Sequence, residues 1–388
     1  MANFGIFTFF TGAGFLDLGF ETAGFRSLFA NELIPEFCSV YKYSRKKLNL
    51  LLPEYGLREV DIETYCDAPY DAESLFQNDE LIQERQFLTD SFNEAQKKYD
   101  LIGFIGGPPC PDFSVAGKNK GAEGKHGRLS QIYMDIICRE KPDFFVFENV
   151  KGLWRTAIHR MFFDKLVEQA HNADYVTTVR LINALEYGAP QDRDRIILIG
   201  IQRNRLKRTS SYRNNVITDF PWQKYILYSL AEIKQKSWPK TNLFSENGDL
   251  PIPSNIIPEL TVEYWFKKND VEKHPNGRDY FIPRAGLKKM QTYDEGDDSK
   301  KCFKRLHRWR YSPTAAYGNN EVHLHPYKAR RLSVAEALAI QSLPKEFELP
   351  PDISLSAKFK TIGNGVPFVA ALGVAKTLKD FLETEAKI

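Results

Sequence analysis

Cysteine, methionine and histidine are all scarce in this chain, with 5, 4 and 7 in 388 residues. The cysteines (Cys38, Cys66, Cys110, Cys138 and Cys302) are odd in number, scattered and without a C-x-x-C pair. That gives no support for a disulfide framework or a zinc site, and it suits a reducing compartment. Long apolar runs are also missing, so no stretch reads as a bilayer span. The apolar N-terminus, Phe4 to Phe10, has neither a basic leader nor a small-residue cleavage site. It runs into Gly12, Gly14 and Asp17, and so reads as a first strand and not as a signal peptide. Internal repeats and low-complexity tracts are absent. A cytoplasmic protein with no membrane partner is expected.

What the chain does have is ordinary globular composition, 43% hydrophobic and 27% charged, which argues against wholesale disorder. Its length makes two domains the natural expectation. The net charge of +3 conceals an asymmetry: Arg203 to Arg331 carries 25 Lys and Arg against 14 Asp and Glu, the remainder 28 against 36. One basic segment on an otherwise acidic chain suggests a polyanionic partner for that segment.

Up to Gly200 strand and helix patterns alternate, the signature of an α/β, doubly wound, mostly parallel sheet. Phe4–Phe10 predicts a strand, Thr11-Gly12-Ala13-Gly14 a tight turn and Phe15 to Ala23 a helix. Glycine lets a ligand approach the backbone at such a turn. Phe25 to Ala30 predicts a second strand ending at Asn31-Glu32. Glu32 stands 20 residues after Gly12, the spacing at which a carboxylate can accept from ribose hydroxyls. Val60-Asp61-Ile62 reads as a third strand end bearing a carboxylate.

Leu101 to Ile105 is a continuous apolar run of the kind a doubly covered strand needs. Gly106-Gly107-Pro108-Pro109 stops it, and the first side chain past the stop is Cys110. Open α/β sheets bind ligands beyond the carboxyl ends of their strands. A lone thiol between two prolines there reads better as a nucleophile than as core. The Gly- and Lys-rich segment after it, to Arg128, has the composition of a closing lid. Pro142–Phe147 predicts another strand, ending at Glu148-Asn149-Val150. Gln191-x-Arg193-x-Arg195 leads into the strand Ile196–Gly200, with both arginines on one face, suited to a paired anion or carbonyl contact, or to a solvated strand edge.

From Arg203 the pattern breaks, prolines recur and basic residues interleave with aromatics, most densely at Lys300–Tyr311. Such a mixture can contact phosphates and stack on bases. Pattern returns at Arg330, with a capping box from Ser333 to Glu336, and the chain closes on Gly363-Asn364-Gly365-Val366 and an apolar helix. The expected division is 1–202, 203–329 and 330–388.

In this order these stretches resemble the motifs of the DNA (cytosine-5) methyltransferases of bacterial restriction–modification systems, from Phe4 to about Leu382 except for the segment 203 to about 310. The resemblance implies a Rossmann-like, S-adenosylmethionine-dependent catalytic domain (1–202), a smaller irregular DNA-recognition domain (203–329), and a return segment (330–388) completing the first. Phe10, Gly12 and Gly14 look like the first cofactor motif, Glu32 and Leu33 the ribose contact, and Asp61 and Ile62 the adenine contact. Pro108, Leu129, Asn364 and Val366 would complete that pocket. Pro108-Pro109-Cys110 is similar to the nucleophile motif, Glu148-Asn149-Val150 to the motif that binds the flipped cytosine, and Arg193 and Arg195 to a further catalytic motif. The chain departs from the pattern at Pro111, where the family has Gln, and at Phe15, where it has a second glycine.

The implied chemistry is attack of the Cys110 thiolate on cytosine C6, with Glu148 as hydrogen-bonding acid and the two arginines holding the ring carbonyl. A stacked base is out of reach, so it must be extruded. No metal is implied. Double-stranded DNA is the partner, with a cognate restriction endonuclease acting on the same site, and a monomer in the bacterial cytoplasm, held to the nucleoid through DNA, is the simplest expectation. Three other readings remain open at this point: a tRNA cytosine-5 methyltransferase, a dinucleotide-dependent oxidoreductase, and a DNA-binding regulator without turnover.

Overall fold

The computed structural model of the chain describes residues 2–66, 79–109, 125–208, 210–300, 302–317 and 322–388. Its first half comprises β1 (Phe4–Phe9), α1 (Phe15–Thr22), β2 (Arg26–Asn31), α2 (Pro35–Lys47), β3 (Leu57–Arg58), α3 (Asp79–Ala95) and β4 (Leu101–Gly106). Then come α4 (Lys125–Glu140), β5 (Phe144–Val150), α5 (Gly152–Arg155), α6 (Ala157–Asn172), β6 (Tyr175–Asn183) and β7 (Asp194–Gln202). Every residue of β1 and β4 is buried, as the apolar run of β4 and that of β1, broken only by Thr8, demand of strands covered on both faces. The third strand lies earlier than its sequence pattern suggests: β3 ends at Arg58, and Asp61 instead caps a 3-10 turn over Ile62–Tyr65.

The strands order as β3-β2-β1-β4-β5-β7-β6. Neighbours from β3 to β5 are parallel, whereas β7 runs antiparallel to both β5 and β6. Strand order reverses between β1 and β4, so the crevice that such sheets reserve for ligands opens beyond their carboxyl ends. Because β7 is reversed, its first residues reach that same edge, where Arg195 pairs in register with Val150.

Past Gln202 the chain stays with this sheet through β8 (Tyr212–Arg213) and β9 (Val216–Ile217), and Ile217 and Phe220 share its core. Two short strands from residues 212–217 thus extend the edge of the sheet beyond β6. Small elements follow: α7 (Leu230–Gln235), α8 (Val262–Lys268), α9 (Leu287–Gln291) and the paired β10 (Lys304–Arg305) and β11 (His323–Leu324). The chain returns through α10 (Val334–Ile340), α11 (Leu355–Asn364) and α12 (Phe368–Glu385). The Ser333–Glu336 capping box forms in both directions, at 3.2 and 2.7 Å.

The sheet is covered on one face by α1 and α12, with Phe20, Leu378 and Leu382 among the core residues. On the other face α3, α4 and α6 contribute Phe92, Ile132 and Leu166. Helices α1 and α12 approach closely at Gly19, where a Cβ would stand 2.6 Å from that of Ala371. No helix among the described residues is long and apolar enough to cross a membrane.

Three arginines of the dense basic run near residue 305 are engaged within the fold. Arg305 is buried and donates to the carbonyls of Met290, Tyr293 and Lys328 at 2.6, 2.8 and 3.1 Å. Arg308 binds Glu295 through two nitrogens, each at 2.8 Å, and Arg310 pairs with Asp298 at 2.9 Å. Contiguous charge in the sequence thus becomes internal scaffolding, because a small, loop-rich unit uses guanidinium groups to satisfy backbone carbonyls that no sheet ladder reaches.

Candidate active site

At the carboxyl edge of β5, Glu148 is buried, and burial raises its carboxyl above the usual range against the opposing pull of Arg195 and then Arg193. Arg195 Nε stands 2.7 Å from Glu148 Oε1, an ion pair in which the N–H is not aligned as a hydrogen bond. The end of β4 packs directly against this carboxylate: a Cβ on Gly107 would meet Glu148 Oε2 at 2.5 Å. Asn149 Nδ2 donates to the carbonyl of Pro108 at 3.3 Å, fastening β5 to the segment that leads to Cys110. Cys110 and the expected lid as far as residue 124 lie outside the described residues, and the last four residues expected of that lid, to Arg128, belong to the first turn of α4.

Arg193 takes a different position from Arg195. It is fully enclosed, with Nη1 donating to the carbonyl of Ala315 at 2.9 Å and to Gln191 Oε1 at 3.3 Å, and Nη2 donating to the carbonyl of Gly363 at 2.7 Å. Burial, then the nearby Arg195, push its guanidinium well below the ordinary arginine range. The two arginines differ in their contacts: Arg195, in β7, faces Glu148, and Arg193, just before the strand, ties its entry to the return segment.

The glycine turn lies next to this edge, at the end of β1. Phe10, Gly12 and Gly14 all have positive φ, of 55°, 57° and 79°. The space a Cβ on Gly12 would occupy is open to 4 Å, which leaves a cradle for a ligand over the backbone. Glu32 accepts from Gly12 N at 2.8 Å and from Ile34 N at 2.9 Å, and burial is the main cause raising its carboxyl. Leu33, beside it, is 54% exposed, an apolar surface at the mouth of the turn. Asp61 Oδ1 accepts from Glu63 N at 3.0 Å, and the neighbouring Ile62 is buried. Pro108 is buried, Leu129 is half-buried on α4, Asn364 is exposed at the end of α11, and Val366 lies in the core shared by α1 and α12.

Phe15, which replaces a glycine of the family pattern, turns away from the open turn. A Cβ on Gly365 would stand 2.0 Å from its Cδ2, and its ring meets Phe347 edge-on at 5.3 Å. The ring thus packs beneath the return segment, leaving the cradle over Gly12 clear.

Four residues that hold the site together were not among those expected to form it. Gly107 and Asn149 couple β4 to β5, as above. Gln191, fully buried, donates to the carbonyl of Ile340 at 3.3 Å and accepts from Ala315 N at 3.0 Å. Gln341 donates to the carbonyls of Ile362 and Gly365, the latter at 3.3 Å. Gln191 and Asn149 carried a signal, since each belongs to a motif that holds an expected site residue. Gln341 carried none.

Matches to known proteins agree with this geometry. Residues 4–380 match the family model for the C-5 cytosine-specific DNA methylases. The chain is 54% identical to the Type II methyltransferase M.NmeDI of Neisseria meningitidis serogroup C over 97% of its own length and 84% of that protein. It is 27% identical to M.FnuDI of Fusobacterium nucleatum over 99% of its length and 96% of that protein. Two solved structures share the fold: Entamoeba histolytica methyltransferase EhMeth, with a TM-score of 0.58 at 11% identity, covering 98% of this chain and 99% of that one, and the S. pombe Dnmt2 methyltransferase, with a TM-score of 0.57 at 11% identity, covering 97% and 99%. With a glycine turn, a buried carboxylate and a paired arginine gathered at one sheet edge, and a family match that runs almost the full length, the chain belongs to the C-5 cytosine-specific DNA methylases and is a DNA (cytosine-5) methyltransferase.

Proposed function

We propose that the chain methylates C5 of a cytosine extruded from one short duplex DNA sequence, through a covalent bond between Cys110 and cytosine C6. The observation that carries this reading is the meeting of Gly107-Pro108 with Glu148 and Arg195 at the sheet edge, two residues short of Cys110 in the sequence. The other cysteines support the choice of nucleophile. Burial pushes the Cys38 thiol up to about 12, and Cys66 and Cys138 up to about 11, so these three stay protonated. Cys302 is exposed and lies in the irregular segment, outside the sequence stretches that carry the motifs.

Glu148 would face the ring N3 and exocyclic amine. Its raised carboxyl keeps a proton available nearer to neutral pH, which suits an acid that neutralises the ring as the thiolate adds. Arg195, half-buried beside Glu148, would stabilise the electron density that accumulates on the ring carbonyl. Arg193 would act from behind, fixing the entry of β7 against the return segment, since its two terminal nitrogens donate to Ala315 and Gly363.

The turn fits an adenosine-bearing cation, because it offers open space over Gly12, with the Glu32 carboxylate 2.8 Å from Gly12 N and the exposed Leu33 next to Glu32. S-adenosylmethionine bound there would supply the electrophilic methyl group. Phe10, Gly12, Gly14, Glu32, Leu33, Asp61, Ile62, Pro108, Leu129, Asn364 and Val366 are the residues proposed to hold it. The reading includes no metal.

The segment 203–329 is proposed to read DNA, with 1–202 and 330–388 forming the catalytic unit. Its charge surplus supports a polyanionic partner. The names of the relatives support a Type II role, in which methylation protects DNA from a cognate endonuclease. A monomer in a bacterial cytoplasm, bound to the nucleoid through DNA, completes the proposal.

The deciding experiment is transfer of labelled methyl from S-adenosylmethionine to a mixed-sequence duplex, run beside tRNA, with bisulfite sequencing of the product. Protection of cytosines at one short motif in DNA is expected, and Cys110→Ala should abolish transfer while cofactor still binds. Label in tRNA alone would overturn the DNA assignment, and transfer by Cys110→Ala would overturn the covalent route.

A further inference from the structure

Asp17 lies beneath the Thr11–Gly14 turn, in the first turn of α1, and is fully buried. A carboxyl in such a place is costly unless something holds it. Here that partner is a hydroxyl: Thr11 Oγ1 donates to Asp17 Oδ2. Thr11 is also the residue on which the turn hangs, since its N–H donates to the carbonyl of Asn31 at 3.0 Å and its carbonyl accepts from Gly14 N at 2.8 Å. Asn31 in turn donates to the carbonyl of Val60 at 2.8 Å, next to Asp61. The Thr11 hydroxyl therefore couples Asp17 to the backbone that joins the G-x-G turn, the end of β2 and the Asp61 segment.

The charges nearest to Asp17 do not pair with it. Glu21 on the same helix and Arg45 on α2 engage each other through two contacts of 2.6 Å. Arg45 also donates to Tyr41 Oη at 3.3 Å, and the Tyr41 ring packs under Gly14. Thr8 reaches in from β1, but Thr8 Oγ1 and Asp17 Oδ1 both lack a hydrogen-bond partner among the described residues. A capping box does not account for the carboxyl either, because the N–H of the N-cap residue Gly14 donates to the Thr11 carbonyl at 2.8 Å and not to Asp17.

We propose that Asp17 is a positioning residue for the cofactor turn: its carboxylate, acting through the Thr11 hydroxyl, holds Thr11–Gly14 in the shape that receives S-adenosylmethionine. This rests on the cofactor assignment made above. Burial raises the Asp17 carboxyl to about 6, with the Thr11 and Thr8 hydroxyls opposing the rise. If the ionised form is the binding-competent one, the competent fraction falls from nearly all at pH 7.5 to about a quarter at pH 5.5, which weakens apparent affinity about fourfold.

The test is titration calorimetry of the full chain with S-adenosylmethionine at pH 5.5 and pH 7.5. The unaltered chain should show the fourfold weakening at the lower pH. Thr11→Val, which removes the donor and keeps the shape, should bind several-fold more weakly at pH 7.5 and lose most of the pH dependence. Thr11→Ser should restore both, and Asp17→Asn should resemble Thr11→Val. Turnover at saturating cofactor should change less than twofold in Thr11→Val, placing the effect on KM and not on kcat. Wild-type affinity with wild-type pH dependence in Thr11→Val would overturn the inference and leave the cofactor assignment standing. Failure of the unaltered chain to bind S-adenosylmethionine at pH 7.5 would overturn both.

Discussion

The guanidinium of Arg193 donates to the carbonyl of Gly363 at 2.7 Å, joining two residues 170 apart in the chain. That bond and its companion to Ala315 close the catalytic strand against the segment carrying Asn364 and Val366. Removing a buried cation together with its carbonyl contacts leaves acceptors unpaired, which is expected to cost about 2–4 kcal/mol. Arg193→Met should lower the denaturant midpoint accordingly and weaken cofactor binding. Arg193→Lys should recover little, because a single ammonium lacks the fork that spans both carbonyls. Unchanged stability in Arg193→Met would show that the strut is dispensable.

Arg195 is expected to behave differently, because its partner is Glu148. Arg195→Gln should lower kcat by a factor of about 100, and lower stability too, because the side chains of this ion pair are only 12% and 9% exposed and losing one partner leaves the other buried alone. The cation beside Glu148 holds its carboxyl down against the rise caused by burial. Its loss should raise that carboxyl further, so the neutral acid persists to higher pH. In the pH profile of kcat the limb belonging to this acid should move toward alkaline pH. A limb that stays in place would mean that Glu148 is not the titrating group.

Gly107 is where the close approach of β4 to Glu148 can be tested. A methyl group at this position would stand 2.5 Å from Glu148 Oε2, well inside van der Waals contact. Gly107→Ala should therefore displace the carboxylate and reduce kcat by about tenfold or more, while S-adenosylmethionine binding by calorimetry stays unchanged. Equal loss of both would mean that the whole sheet edge has shifted.

Phe15 invites the opposite experiment, restoration of the family's glycine. Its ring is nearly fully buried, against Gly365 and Phe347. Phe15→Gly should therefore open a cavity and cost about 3–5 kcal/mol, visible as a lower midpoint in urea. A variant as stable as the parent would show that the return segment repacks without the ring.

Much of this architecture is determined by the sequence itself, for a local reason. Buried strands such as Leu101–Gly106 must be continuously apolar, glycine is favoured where φ is positive, as at Gly12 and Gly14, and the Ser333–Glu336 box marks a helix start within four residues. Short-range steric and hydrogen-bonding rules therefore made the doubly wound sheet, the Gly12–Gly14 turn and the strand ends bearing Glu32 and Glu148 legible in order. The tertiary structure decided what depends on direction and on distant partners. An apolar run does not disclose whether its strand runs parallel or antiparallel, so the reversal of β7 that carries Arg195 to Glu148 is invisible locally. Two arginines one residue apart look alike in sequence, yet one meets a carboxylate and the other a carbonyl 170 residues away. For the same reason Arg305 and Arg308 read as free charge for a phosphate backbone, while folding commits them to internal carbonyls and to Glu295. A side chain's partner is a property of the closed fold, because burial leaves each polar group to be satisfied by whatever the chain brings beside it.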